Sequence, residues 1–142
     1  MTIRDLQKGD LAKLAFLYEQ FWNDQSDVPK MERQFDLVND DKSYIFLAAE
    51  QDGTIVGSVM GVVCKELYGD CRPFLVVEDM IVDGPFRRSG VGSMLLSELE
   101  ARAKARDCTQ MILVTETDRV DACNFYEKYG FQKNNKGYKK KI

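Results

Sequence analysis

The sequence predicts an α/β fold built on a mixed sheet, and three features point to it. Apolar residues gather in short, strand-length runs, stretches of helical periodicity separate those runs, and the runs at 74–82 and 111–115 are joined by one helix-length segment. A helical crossover of that kind makes its two strands parallel neighbours in a right-handed βαβ unit. The Asp52-Gly53 turn, by contrast, is a strong signal for an antiparallel pair. Both pairings in one chain mean a mixed sheet.

Thr2–Asp5 reads as a short strand, followed by Leu11, Leu14, Ala15, Leu17, Tyr18, Phe21 and Trp22 at the spacing of an amphipathic helix. After the polar turn residues Asn23 to Pro29, a second short helix is expected over Met31–Val38. Tyr44–Glu50 and Ile55–Leu67 flank the Asp-Gly turn as a hairpin, and Gly69-Asp70 turns the chain into the strand Phe74–Val82. That strand is apolar except for the adjacent carboxylates Glu78 and Asp79, which stand out as an anomaly. Asp83-Gly84-Pro85 ends it. Val91, Leu95, Leu99 and Ala103 mark one face of a helix from about Gly90 to Arg106, and Met111–Thr115 forms the next strand. Ala122, Phe125, Tyr126 and Tyr129 give a last helix closed by Gly130. Phe131–Lys133 and Tyr138–Lys141, around Asn134-Asn135, resemble a terminal hairpin whose edge offers a place for a second copy of the chain, as in a homodimer.

At 142 residues the chain fits one domain spanning 1–142, and 44% hydrophobic with 30% charged residues is the balance of a folded protein. No apolar run reaches the roughly 18–20 residues of a membrane span, and Met1 to Asp5 do not begin a secretory signal. A cytoplasmic protein with no membrane partner is expected. Four cysteines without a CxxC pair fit reduced thiols and no metal site. There is no histidine, which removes a Ser-His-Asp triad, an HExxH zinc site and any imidazole base. Residues 1–82 carry 8 Lys/Arg against 15 Asp/Glu, and residues 83–142 carry 12 against 8. Opposite signs in the two halves suit two partners of opposite charge, or are simply two solvated faces. The net charge of −3 argues against nucleic acid as a partner.

Arg87-Arg88-Ser89-Gly90-Val91-Gly92-Ser93 lies where a strand gives way to a helix, and backbone N–H groups there lack intrahelical partners. Glycines let an anion approach the main chain, and the two arginines add charge. The segment is not a Walker A loop, because no lysine follows Gly92. It is not the dinucleotide GxGxxG/A fingerprint either, because Leu95 takes the last position. A glycine-rich helix start that binds nothing is the alternative.

Arg87, Gly90 and Gly92 match the R/Q-x-x-G-x-G/A signature of the acetyl-CoA-dependent N-acetyltransferases, the GNAT superfamily. Ala122-Cys123-Asn124-Phe125-Tyr126-Glu127-Lys128-Tyr129-Gly130-Phe131 resembles that family's A-x-x-x-Y-E-K-x-G-F helix and strand. The resemblance covers almost the whole chain, although residues 1–70 match in layout rather than in motif. It implies a GNAT-like acyl-CoA N-acyltransferase fold whose mixed sheet, flanked by helices, splays between the Glu78 strand and the Met111 strand, with pantetheine in the splay. It further implies backbone contacts to acetyl-CoA from Met80, Ile81 and Val82, and a pyrophosphate held by Arg87, Arg88, Ser89, Gly90, Val91, Gly92 and Ser93. Many members carry asparagine where Arg119 stands, and that asparagine touches the cofactor.

Amide formation from a thioester needs a neutral amine, a stabilised oxyanion and a proton for the departing thiolate. Without histidine, Glu78 or Asp79 is the candidate base, through water. Neighbouring strand residues face opposite ways unless a bulge intervenes, so one of the two is expected to face the acceptor, Glu78 being favoured. The alternative is a strand carboxylate satisfied by backbone donors or by Arg72. Periodicity alone makes Tyr126 a core aromatic; its position in the resembling motif makes it the acid, and it also contacts acetyl-CoA there. Cys123 reads as a packing residue, and Met60, Met80, Met94 and Met111 as core fillers. The acceptor is expected to be a small-molecule primary amine, with Asp24, Asp27, Glu32, Asp36, Asp40 and Asp41 suited to a cationic one. A peptide or protein substrate, or a non-catalytic acyl-CoA-binding regulatory module, are the alternatives. Lys136, Lys139, Lys140 and Lys141 read as a solubilising edge.

Overall fold

The computed structural model describes residues 1–142. They form two compact units, 1–112 and 113–142, each described separately below. The first holds strands β1 (Thr2–Asp5), β2 (Tyr44–Gln51), β3 (Thr54–Cys64), β4 (Phe74–Val82) and β5 (Met111–Ile112), with helices α1 (Leu11–Trp22), α2 (Val28–Val38) and α3 (Val91–Ala105). The strands lie in the order β1-β2-β3-β4-β5, antiparallel throughout except for the parallel β4–β5 pair. The mixed sheet is therefore present, and its one parallel step is the one closed by the α3 crossover. No helix is long and apolar enough to cross a membrane.

Local chemistry explains most of the boundaries. Asp52 and Gly53 both take positive φ, 53° and 78°, as a two-residue hairpin turn requires. α2 begins three residues before Met31 because Asp27 caps it, its side chain accepting from the Lys30 N–H at 3.0 Å, and because Pro29 occupies the first turn. β3 stops at Cys64 rather than Leu67, whose side chain, like that of Tyr68, is largely exposed.

Two layers cover the sheet. On one face α1 and α2 bury Leu11, Leu14, Leu17 and Phe35 with Leu6, Ala48, Ile55 and Ile81, and Tyr18, Phe21, Met31 and Phe46 pack against this cluster. On the other, α3 contributes the fully buried Val91, Leu95, Leu96 and Leu99. The close approach of α3 depends on Gly61 of β3, where an added Cβ would sit 2.7 Å from Leu99 Cδ1 and 3.1 Å from Leu75 Cδ1. Both leucines are completely buried and have no open space to retreat into. Gly61→Val is expected to destabilise the protein by about 1–3 kcal/mol through overpacking; an unchanged urea midpoint would refute this.

The second unit contains α4 (Val120–Tyr129), which ends at Gly130, whose φ is 122°. The Tyr126 carbonyl accepts from the N–H groups of Gly130 and Phe131 at 3.1 and 3.0 Å. None of the α4 side chains is fully buried. The expected terminal hairpin is absent: residues 131–142 form no strand. Lys133 instead pairs with Glu127 at 3.1 Å and Lys139 with Glu116. A lysine-rich pair of segments has no apolar face to bury, and two strands alone are marginal in water.

Candidate functional site

The site is built around β4 and the loop that follows it. β5 pairs with β4 only at Leu75↔Met111 and Val76↔Ile112, so from Val77 to Val82 that edge of β4 has no strand beside it. This is the expected parting of the sheet. On its other edge β4 is irregular: Glu78 is opposite Met60 and Ile81 opposite Ser58, so Val59 alone faces both Asp79 and Met80. Asp79 carries the extra turn, with φ 49°. The chain thus has a bulge at the two anomalous carboxylates.

The bulge changes which way β4 points. Val77 is opposite Gly61, whose missing Cβ faces α3, whereas Ile81 belongs to the cluster under α1. Residues of the same parity therefore face α3 before the bulge and α1 after it. Glu78 and Asp79 sit at the reversal and stay solvent-accessible. Partial burial, together with the charge of Asp79, raises the Glu78 carboxyl above its ordinary range, and burial raises that of Asp79. Tyr18 of α1 is the neighbour that periodicity concealed: burial first, then the charge of Asp79, pushes its phenol far up, so the hydroxyl stays protonated. Sequence pattern counts Tyr18 only as one more apolar position of α1. Arg72, the alternative partner for these carboxylates, is elsewhere, paired with Asp107 at 2.9 Å.

After Val82 the chain makes a single 3-10 turn, Gly84–Phe86, and enters the glycine loop. The Arg87 Nε donates to the Val82 carbonyl at 3.0 Å, and the Ser89 hydroxyl donates to the Phe86 carbonyl at 2.6 Å, folding the loop back on the strand end. Arg88 has φ 62°, and Gly90 is the N-cap of α3 with φ 90°. Gly90 has no side chain to cap with, and the first turn of α3 contains no acid. The first intrahelical bond is Met94 N–H to the Gly90 carbonyl, 3.0 Å. The N–H groups of Val91, Gly92 and Ser93 therefore precede the ladder at the positive end of the helix dipole. Val91 contributes only its backbone there, because its side chain is buried against the Gly57 position. Met80 and Val82 are partly buried on the open stretch of β4, and Ile81 is buried. Asp83 donates its N–H to Val56 of β3 at 2.8 Å, so by alternation the Val82 N–H points the other way, toward the edge beyond the β5 pairing.

Residues expected to form the site thus come together within the first unit: Glu78, Asp79, Met80, Ile81, Val82 and Arg87 through Ser93 lie along one strand and its outgoing loop. Of the acidic residues suited to an amine, three have local tasks instead: Asp27 caps α2, Asp36 pairs with Lys8 at 2.6 Å, and Asp41 accepts from the Ser43 N–H at 2.8 Å. Met94, expected in the core, is 40% exposed. In the second unit, the half-buried Tyr126 ring meets Phe125 and Phe131 at centroid distances of 5.2 and 5.8 Å. Arg119 stands at the N-cap of α4 with Nη1 3.4 Å from the Thr115 hydroxyl, and the Cys123 thiol, also half-buried, lies 3.6 Å from the Glu116 carbonyl. No group of cysteines and carboxylates is arranged to hold a metal ion.

Residues 11–131 match the profile of the acetyltransferase (GNAT) family. The chain belongs to the GNAT family. An acetyltransferase of Yersinia pestis (strain Pestoides F) is 31% identical over 137 residues, which cover 93% of this GNAT chain and 88% of that protein. Among solved structures, a transcriptional regulator from Bacillus halodurans C-125 superposes with a TM-score of 0.91 at 26% identity, covering 99% of each chain. AAC(6')-Iy in complex with the bisubstrate analogue CoA-S-monomethyl-acetylneamine shares the GNAT fold, with a TM-score of 0.80 at 20% identity over 99% of this chain and 98% of that one. The α/β reading, the mixed sheet opening between two parallel strands and the family resemblance are all borne out.

Proposed function

We propose that this GNAT protein transfers an acetyl group from acetyl-CoA to the primary amine of a small molecule by direct attack within a ternary complex. The observation that carries the proposal is the stretch of β4 from Val77 to Val82, beyond its pairing with β5, running straight into an α3 N-terminus without a capping side chain. A pantetheine arm carries amides that suit the backbone of a strand end, and a pyrophosphate suits helix N-terminal N–H groups. In AAC(6')-Iy this same fold holds a molecule that joins CoA to an amine.

Each residue then has a task. Gly90, Gly92 and the amides of Val91 and Ser93 hold the pyrophosphate, with Arg87, Arg88 and Ser89 beside it. The edge of Met80, Ile81 and Val82 aligns the thioester and donates to its carbonyl oxygen. Glu78, with Asp79, takes a proton from the ammonium through water. The neutral amine attacks the carbonyl carbon, the C–N bond forms, and the C–S bond breaks with its electron pair leaving on sulfur, while the surplus proton on the new amide nitrogen departs through water and in net terms replaces the one Tyr126 gives up. Tyr126 gives the thiolate its proton; a phenol near pKa 10 and a thiol near 8.5 are matched closely enough for that transfer. The raised Glu78 and Asp79 carboxyls suit bases, and their charge suits a cationic acceptor.

Tyr126→Phe is expected to lower kcat about tenfold while leaving the affinity for CoA within twofold, read by stopped thiol-release assays and calorimetry. An unchanged kcat would remove Tyr126 as the acid. The proposal as a whole is tested by titrating the protein with CoA and then assaying thiol release from acetyl-CoA with polyamines, amino sugars, amino acids and peptides. The absence of any heat with CoA would overturn it. A second reading, a non-catalytic acyl-CoA-binding regulator, is favoured by the likeness to the Bacillus halodurans transcriptional regulator. Tight CoA binding without amine-dependent thiol release is its signature.

A further inference from the structure

Asp83, at the junction of β4 and the glycine loop, is a buried carboxylate outside the reacting groups, with 7% of its surface exposed. A buried charge requires partners, and both come from α1. Lys13 Nζ reaches Asp83 Oδ2 at 3.2 Å, and Gln20 Nε2 donates to Asp83 Oδ1 at 3.1 Å. The same Gln20 amide turns its oxygen toward the Gly84 N–H, 3.5 Å away. Lys13 and Gln20 are seven residues apart, two turns along one stripe of α1, with the fully buried Leu17 between them.

The main chain of Asp83 is equally engaged. Its N–H joins β3 through Val56 at 2.8 Å, its carbonyl accepts from Phe86 at 2.9 Å, and the Gly84 carbonyl accepts from Arg87 at 3.2 Å. The first bonds of the loop that leads to Gly90 therefore start from a residue that α1 grips. Burial by itself would raise the Asp83 carboxyl, but the hydrogen bonds from Gln20 and Lys13 outweigh it, so the group lies below the ordinary carboxylate range and is charged at neutral pH. α1 also carries Tyr18, the neighbour of Asp79.

We propose that Lys13, Gln20 and Asp83 form a positioning tether that fixes the pyrophosphate-binding loop against α1 and thereby couples CoA binding to the placement of the helix beside the Glu78–Asp79 carboxylates. The inference rests on the CoA reading above, and it names residues that touch neither substrate. Binding energy gained at the loop then has a direct hydrogen-bonded route to the acceptor-side helix.

The test uses the full chain and two substitutions that leave the Asp83–Lys13 pair in place. Gln20→Ala removes both amide contacts, and Gln20→Glu sets a second carboxylate against Asp83. Hydrogen exchange is followed in the free protein and with CoA. The expected result is exchange of the Gly84 and 86–90 amides faster by about tenfold in Gln20→Ala, and faster still in Gln20→Glu, because a lost bond to a charged group frees the local opening. Central β3 amides should keep their protection, and the KM for acetyl-CoA should rise about threefold at nearly constant kcat. Loop exchange equal to wild type in both variants would overturn the tether, as would a uniform loss of protection through the core. If wild type fails to bind CoA, the reading of the pocket falls and the coupling with it, while loop exchange in the free protein still reports on the tether.

Discussion

Replacing Glu78 with glutamine is expected to lower kcat/KM for acetyl transfer by about a hundredfold, at the lower end of what a general base supplies because the proton passes through water. Asp79→Asn is expected to cost less, since the main effect of Asp79 on the site is to raise its neighbour. The pH dependence gives the sharper result. Glu78 must be deprotonated to act, and its carboxyl lies above the ordinary range. The wild-type rate should therefore climb with pH through an inflection displaced upward from that of a free glutamate, and E78Q should lose this limb. Stability should move the opposite way. A carboxyl raised in the folded state holds its proton there more tightly than in the unfolded chain, so it lowers stability as pH rises from its unfolded to its folded pKa. Above that window the cost persists. E78Q, which cannot ionise, should melt slightly higher than wild type at neutral pH while turning over far more slowly. A variant with unchanged rate and unchanged profile would exclude Glu78 as the base.

Gly90→Val is expected to weaken CoA binding by about a hundredfold, combining a strained backbone with a branched side chain at the proposed anion site. With φ at 90°, Gly90 occupies a region that costs an L-residue about 1–2 kcal/mol. Apart from its chain neighbours and its own helix, nothing lies within 4 Å of an added Cβ there, so the fold itself has room for the side chain. The loss should therefore concentrate on the ligand, with a modest drop in melting temperature. Gly90→Asn separates the two contributions, since asparagine tolerates left-handed backbone better than valine does. It should recover most of the melting temperature and little of the affinity. Full CoA affinity in both variants would show that the α3 N-terminus does not receive the pyrophosphate.

What could be read in the sequence was what depends on local pattern. The Asp52-Gly53 turn, the α1 stripe, the glycine entry to α3 and the Gly130 stop each need only neighbours along the chain, and each is present. The adjacent Glu78 and Asp79 signalled an irregular strand, but their orientation depended on register with β3, a pairing between distant segments that composition does not encode. Tyr18 and Asp83 were hidden for a related reason. One looked like a core aromatic and the other like an ordinary strand terminator, and their roles appear only where α1 crosses the end of β4. The C-terminal segments mimic strands by their short alternation, yet no hairpin forms, because their lysines leave them no buried face, and Lys133 and Lys139 pair with carboxylates instead.

The single surplus residue in β4 sets the frame for everything downstream of it. Were Asp79 deleted, and the pairing upstream kept, Ile81 would exchange sides with Val82, and the carboxylate at position 83 would swing from α1 toward α3. Lys13 and Gln20 would then lose the carboxylate they hold. One inserted amino acid thus does double service, leaving a pair of acids open to solvent and turning the strand's last carboxylate toward α1.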